Sequence, residues 1–179
     1  MKIILIGSSG AGKSTFSREL ANLVNFPVLH LDKIWHSMDY SEKAEKKFRQ
    51  VQENFLAEHE NCIIDGNYRG TLGLRVAQAD LIIWLKISRW RAVGRVFRRS
   101  LKWHWSRKNR PDMAEDFTEK FDKEYWEFIK FVWNFPKFNE PKISEIIQQF
   151  DKVHQVVIVK NQKDKKKVLS NLQRDLIGL

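Results

Sequence analysis

The chain has 179 residues, 42% hydrophobic and 30% charged, a balance that fits one globular domain and excludes a disordered, collagen-like or coiled-coil protein. Its formal net charge of +10 is local: from Leu81 to Pro111 there is no acidic residue, while Lys86, Arg89, Arg91, Arg95, Arg98, Arg99, Lys102, Arg107, Lys108 and Arg110 lie there, and the other 22 basic residues balance the 22 acidic ones. That asymmetry points to a dedicated anion-binding surface.

Met1 to Ile6 is an apolar run ended by Gly7 and predicts a strand buried on both faces, as in the middle of a parallel sheet. A helix follows over Ser14–Val24, with Phe16, Leu20, Leu23 and Val24 at helical spacing, and Asn25 and Pro27 close it before a second strand at Val28–Leu31. Residues 41–59 read as a charged amphipathic helix with Phe48, Val51, Phe55 and Leu56 on one side, and Cys62–Asp65 as a third strand. Leu81–Ile87 and Val156–Lys160 supply a fourth and a fifth.

Between Ser88 and Pro136 the composition changes: five of the seven tryptophans fall in what read as two long helices broken at Asn109-Arg110-Pro111. Helices at about residues 142–150 and 164–176 complete the chain, and the Lys163–Lys167 run reads as a solvated helix start. Strands alternating with helices predict a three-layer α/β domain, one domain over 1–179 with a basic helical lid at about 89–136. No apolar run is long enough for a bilayer span, no signal-peptide layout opens the chain, and the single Cys62 cannot make an intramolecular disulfide or a cysteine-based zinc site. A soluble, cytoplasmic protein is expected, with its oligomeric state open.

Gly7-Ser8-Ser9-Gly10-Ala11-Gly12-Lys13-Ser14 matches the phosphate-loop (Walker A) pattern G-x-x-x-x-G-K-[ST] at every specified position, between a buried strand and a helix. Such a loop turns backbone N–H groups inward around phosphate, Lys13 reaches the β- and γ-phosphates, Ser14 ligates Mg²⁺, and the helix adds its positive end. ATP with Mg²⁺ is therefore expected. A chance match in a chain of this size is on the order of one in a hundred.

Asp65-Gly66-Asn67-Tyr68-Arg69 ends the third strand. There Asp65 is placed for the metal's shell and Arg69 to grip a second anion, the alternative being a plain turn with a capping aspartate. Asp32 and Trp35 end the second strand and converge on the same crevice, the alternative being a helix cap and a core residue. His30 and His36 lack the carboxylate or cysteine partners of a metal site and read as ordinary histidines. On the helix from Ser88, Arg91, Arg95, Arg98, Arg99 and Lys102 form one basic stripe and Trp90, Val93, Phe97 and Leu101 an opposite apolar one. The stripe suits phosphoryl transfer, where arginines stabilise charge spread over the γ-phosphate. Residues 86–110 also suit nucleic acid, because arginine interleaved with aromatics favours single-strand stacking.

The stretches Gly7 to Thr15, His30-Leu31-Asp32-Lys33-Ile34-Trp35, Ile64 to Tyr68 and Arg95 to Arg110 with Pro-Asp-Met113 together resemble the bacterial DNA topology modulation proteins, small relatives of adenylate kinase. The resemblance runs from Met1 to about Pro141. It implies a P-loop kinase fold with strand order 2-3-1-4-5, ATP-Mg²⁺ as donor, Thr15 within the nucleotide loop, and Arg95, Arg99 and Arg110 as lid arginines. Adenylate kinases carry Asp-Gly-Phe-Pro-Arg at the third strand. Asp65, Gly66 and Arg69 match that pattern, while Asn67 and Tyr68 depart from it. The resulting expectation is a phosphotransferase acting on a nucleoside monophosphate or another small acceptor, with nucleic acid bound weakly; the rival is an ATP-controlled regulator acting on DNA or RNA.

Overall fold

The computed structural model describes residues 1–106 and 122–177. Arg107, Lys108, Arg110 and Pro111 lie outside them, so the expected lid arginine Arg110 and the expected helix break have no structural account. Five parallel strands run in the order β2-β3-β1-β4-β5: β1 (Lys2–Gly7), β2 (Val28–His30), β3 (Cys62–Asp65), β4 (Leu81–Leu85) and β5 (Val156–Val159). The predicted three-layer fold and its strand order are both present. Leu5 pairs with Asp65 and Asp65 with His30, which sets the carboxyl ends of β1, β3 and β2 side by side.

Eight α-helices surround the sheet among the described residues: α1 (Lys13–Val24), α2 (Leu31–Trp35), α3 (Glu42–Glu58), α4 (Arg69–Gln78), α5 (Arg89–Ser106), α6 (Lys123–Phe138), α7 (Glu140–Gln149) and α8 (Gln162–Ile177). Because strand side chains alternate, β1 feeds two cores. Ile4 and Ile6, with Ile64, Ile82 and Trp84, pack against Phe48 and Leu56 of α3, Leu72 and Val76 of α4, and Ile143 and Ile147 of α7. Ile3 and Leu5, with Ile63, Ile83 and Leu85, pack against Phe16 and Leu20 of α1 and Val168 and Leu172 of α8. Each fully buried Ile or Leu of β1 contributes about 1.5–3 kcal/mol of transfer free energy, which makes this strand the rigid base from which the phosphate loop springs.

Four sequence expectations are corrected. The second strand stops at His30, and Leu31–Trp35 is a helical turn whose first residue, Leu31, is fully buried. Helix α4 was not expected. Helix α6 continues through Pro136 into its last turn. On α5 the buried positions are Ala92, Val96 and Ser100, whereas Trp90, Phe97 and Leu101 of the expected apolar stripe are exposed. Ala92 and Val96 pack with Val132 of α6 in a third, small cluster separate from the two main cores. Among the described residues no helix is long and apolar enough to cross a membrane.

Candidate functional site

The loop between β1 and α1 needs glycine where the sequence has it. Gly10 has φ +78°, and a Cβ there would lie 2.5 Å from the carbonyl oxygen of Ala92, so its bare backbone lets α5 rest against the loop. At Gly7, φ +145°, a Cβ would lie 2.4 Å from the carbonyl oxygen of Leu85 on β4. Lys13 folds back over the loop and donates to the carbonyl oxygens of Gly7 (2.9 Å) and Ser8 (3.3 Å). Ser8 is buried, Ser9 and Ser14 are half-buried, and Thr15 is exposed at the start of α1.

Two more cations reach this loop. Arg95 of α5 directs Nη1 to the carbonyl oxygens of Gly10 and Ala11, 3.4 Å each. Lys165 of α8 stands over the Phe16 ring at 4.8 Å, with Nζ 3.7 Å from where a Cβ on Gly12 would be. Burial, opposed by Glu19 and reinforced by the Arg95 charge, lowers its proton affinity below the ordinary lysine value. Sequence reasoning placed Lys165 in a solvated run; the half-buried ammonium beside the phosphate loop corrects that. Arg99 is half-buried on α5, while Arg91 and Arg98 are exposed.

Asp65 closes β3 with only 4% of its side chain exposed. Its Oδ2 lies 3.1 Å from Nδ1 of His30, and its Oδ1 has no hydrogen-bond partner among the described residues. His30 thus has one carboxylate partner, set by the pairing of β2 with β3. The next residue but one, Asn67, ties this loop to the phosphate loop: its side-chain oxygen accepts from the Gly7 N–H (2.9 Å) and its amide nitrogen donates to the Gly7 carbonyl (2.7 Å). Arg75, fully buried on α4, holds the turn from beneath, donating to the carbonyls of Gly66 (2.7 Å), Asn67 (2.5 Å) and Tyr68 (3.0 Å). Burial pushes its proton affinity down to about 9, with Asp65 acting in the opposite direction, so it remains a cation at neutral pH.

Beside this turn stand four aromatic rings. Trp35 meets Phe48 at 5.2 Å, Tyr40 at 5.5 Å and Tyr68 at 6.0 Å, and Phe48 meets Tyr68 at 4.8 Å, all edge to face. Tyr68 has φ +28°, and burial together with the hydrogen-bonded Asp32 carboxylate raises its phenol well above the usual tyrosine range. Asp32 and Trp35 of α2 therefore meet Tyr68 in one cluster beside the turn that Asp65 opens. Arg69 does not enter it: it is exposed at the start of α4, with Nη1 3.5 Å from Oδ1 of Asn139.

The donor set fits Mg²⁺, which binds through one or two protein oxygens while phosphates and waters complete its shell. Buried Oδ1 of Asp65 is the unsatisfied oxygen such an ion requires, and among the described residues no cluster of three or more His, Cys, Asp or Glu competes as a metal centre.

The fold is that of the P-loop kinases. The chain superposes on shikimate kinase from Acinetobacter baumannii in complex with shikimate, with a TM-score of 0.59, 18% identity, and coverage of 99% of this chain and 93% of that one. It superposes on deoxyadenosine kinase from M. mycoides with a TM-score of 0.51 and 17% identity over the full length of both. In sequence it is 34% identical over 73 residues to shikimate kinase of Parabacteroides distasonis, a match spanning 35% of this chain and 42% of that protein. No protein-family profile matches the chain. These relatives give no support to the narrower resemblance to DNA topology modulation proteins.

Proposed function

We propose that this protein is an ATP-dependent phosphotransferase acting on a small acceptor. The observation that carries the reading is the convergence, at the carboxyl ends of β1 and β3, of a complete phosphate loop, three cations and a buried carboxylate oxygen without a partner. Backbone N–H groups of residues 8–15 and the start of α1 hold the β- and γ-phosphates, and Lys13 exchanges its two carbonyl partners for phosphate oxygens. Mg²⁺, held by Ser14 and Asp65, would neutralise phosphate charge during transfer. Arg95 and Arg99, with Arg110, are assigned to the charge that develops on the γ-phosphate, and Lys165 to the donor's phosphates. The acceptor is assigned to the surroundings of Asp32, Trp35 and Asp65, with Arg69, expected there from the sequence, directed instead at Asn139.

Residues 89–136 are assigned as the lid, on the strength of α5, which already touches the phosphate loop through Arg95 and packs with α6 apart from the main cores. A cytoplasmic site suits ATP dependence. Basic residues on α5 retain the alternative of weak nucleic-acid binding. Transfer from [γ-³²P]ATP to a panel of small acceptors, run beside DNA binding at several salt concentrations, tests the reading. Acceptor-dependent transfer lost in Lys13→Ala supports it. Salt-sensitive DNA binding without any transfer refutes it.

A further inference from the structure

We infer that the acceptor is an uncharged, ring-bearing alcohol, with a nucleoside as the representative, and not a phosphate ester or a sugar acid. This rests on the kinase reading and names its acceptor class. An anionic acceptor needs cations beside Asp32 and Tyr68, and among the described residues those near this turn are engaged elsewhere or turned away. Arg75 is fully buried, with its guanidinium occupied by the Gly66, Asn67 and Tyr68 carbonyls. His30 is turned to Asp65. Lys86 is paired with Glu140 at 3.1 Å and stacked over Trp84. Lys33 and Arg69 are exposed, the latter directed at Asn139.

What faces the acceptor instead is the Asp32 carboxylate and the Tyr68 phenol, whose proton is held by burial and by Asp32. A phosphate monoester, with nearly two negative charges at neutral pH, would meet like charge there, as would a carboxylate. An alcohol meets a hydrogen-bond acceptor. Asp32 accepts the hydroxyl proton as the hydroxyl oxygen forms a bond to Pγ. The bond from Pγ to the β,γ-bridging oxygen breaks, and its electron pair leaves on ADP, so charge and atoms balance. Trp35, Phe48 and Tyr68 supply an aromatic wall beside that carboxylate, and Tyr40, 56% exposed, extends it outward. An apolar ring body is what such a wall accommodates.

The test measures transfer from Mg-ATP by the full chain to four ribonucleosides, four deoxynucleosides, the corresponding nucleoside monophosphates, shikimate and gluconate, with ATP binding followed separately by calorimetry. The expected result is transfer to at least one nucleoside, with kcat/KM at least tenfold above that for every anionic acceptor. Asp32→Asn should lower kcat at least a hundredfold at unchanged ATP affinity, and Tyr68→Phe should raise the nucleoside KM with kcat nearly retained. Preferential phosphorylation of a monophosphate or sugar acid overturns the acceptor class and leaves the kinase reading standing. ATP binding with no transfer to any nucleoside also overturns it, whereas absence of ATP binding overturns the kinase reading itself.

Discussion

Replacing Arg75 with methionine keeps most of the side-chain volume and removes the guanidinium on which the turn at residues 66–68 rests. Three carbonyls lose a charged donor, at 2.7, 2.5 and 3.0 Å. The Gly66 bond is buried, so its carbonyl loses any partner, at about 1–3 kcal/mol. The Asn67 and Tyr68 bonds are partly open to solvent, and water can replace the donor there at about 1 kcal/mol each. A loss of about 3–5 kcal/mol follows, the scale expected when one member of a buried charged set is deleted. Against a typical domain stability of about 5–15 kcal/mol the variant remains measurable. In urea denaturation the midpoint should fall at unchanged slope, and Arg75→Lys, which keeps the charge but cannot span three carbonyls, should lie between wild type and Arg75→Met. A loss below about 1 kcal/mol for Arg75→Met would refute the claim that this residue holds the acceptor turn.

Lys13→Ala should abolish turnover while leaving thermal stability within about 0.5 kcal/mol of wild type, measured by calorimetry, because among the described residues its ammonium hydrogen-bonds to two loop carbonyls and fills no core. Lys165→Ala should raise the KM for ATP severalfold with kcat nearly unchanged. Since its ammonium titrates below the ordinary lysine value, ATP affinity should weaken as pH rises toward that value, and Lys165→Arg should abolish this dependence. Gly10→Ala should destabilise the fold and weaken nucleotide binding by driving a methyl into the Ala92 carbonyl. Gly70→Ala, with nothing within 4 Å of its Cβ, should be neutral or stabilising by about 0.5–1 kcal/mol in the same denaturation experiment. Hydrogen exchange on α5 should slow when ATP and acceptor bind together, and unchanged protection would count against its role as a lid.

Local pattern carried most of the fold. Cys62–Asp65 is a strand in the structure with the predicted bounds, and the other four strands differ from prediction by one or two residues at an end. Helix α4 escaped because Arg-Gly-Thr-Leu-Gly-Leu-Arg holds two glycines and an arginine that reads as solvent-facing until its partners nine, eight and seven residues upstream are known. On α5 the large apolar residues were expected inward, yet close approach to the loop and to α6 selects the small ones, Ala92, Val96 and Ser100. The phosphate loop was legible because its chemistry is contiguous. Asn67 and Lys165 act across 60 and about 150 residues of chain, and for Asn67 the only available signal was its departure from the adenylate kinase pattern.

The Asn67 bridge to both polar atoms of Gly7 has a thermodynamic consequence. The turn that holds the acceptor and the loop that holds the donor are tied together at a single residue, Gly7, so neither rearranges without being felt by the other. If acceptor binding changes ATP affinity by some factor, linkage requires ATP to change acceptor affinity by the same factor. Titrations begun from either ligand must therefore yield one coupling free energy, and Asn67→Ala, which cuts the shared hydrogen bonds, should bring that number toward zero while each ligand still binds alone.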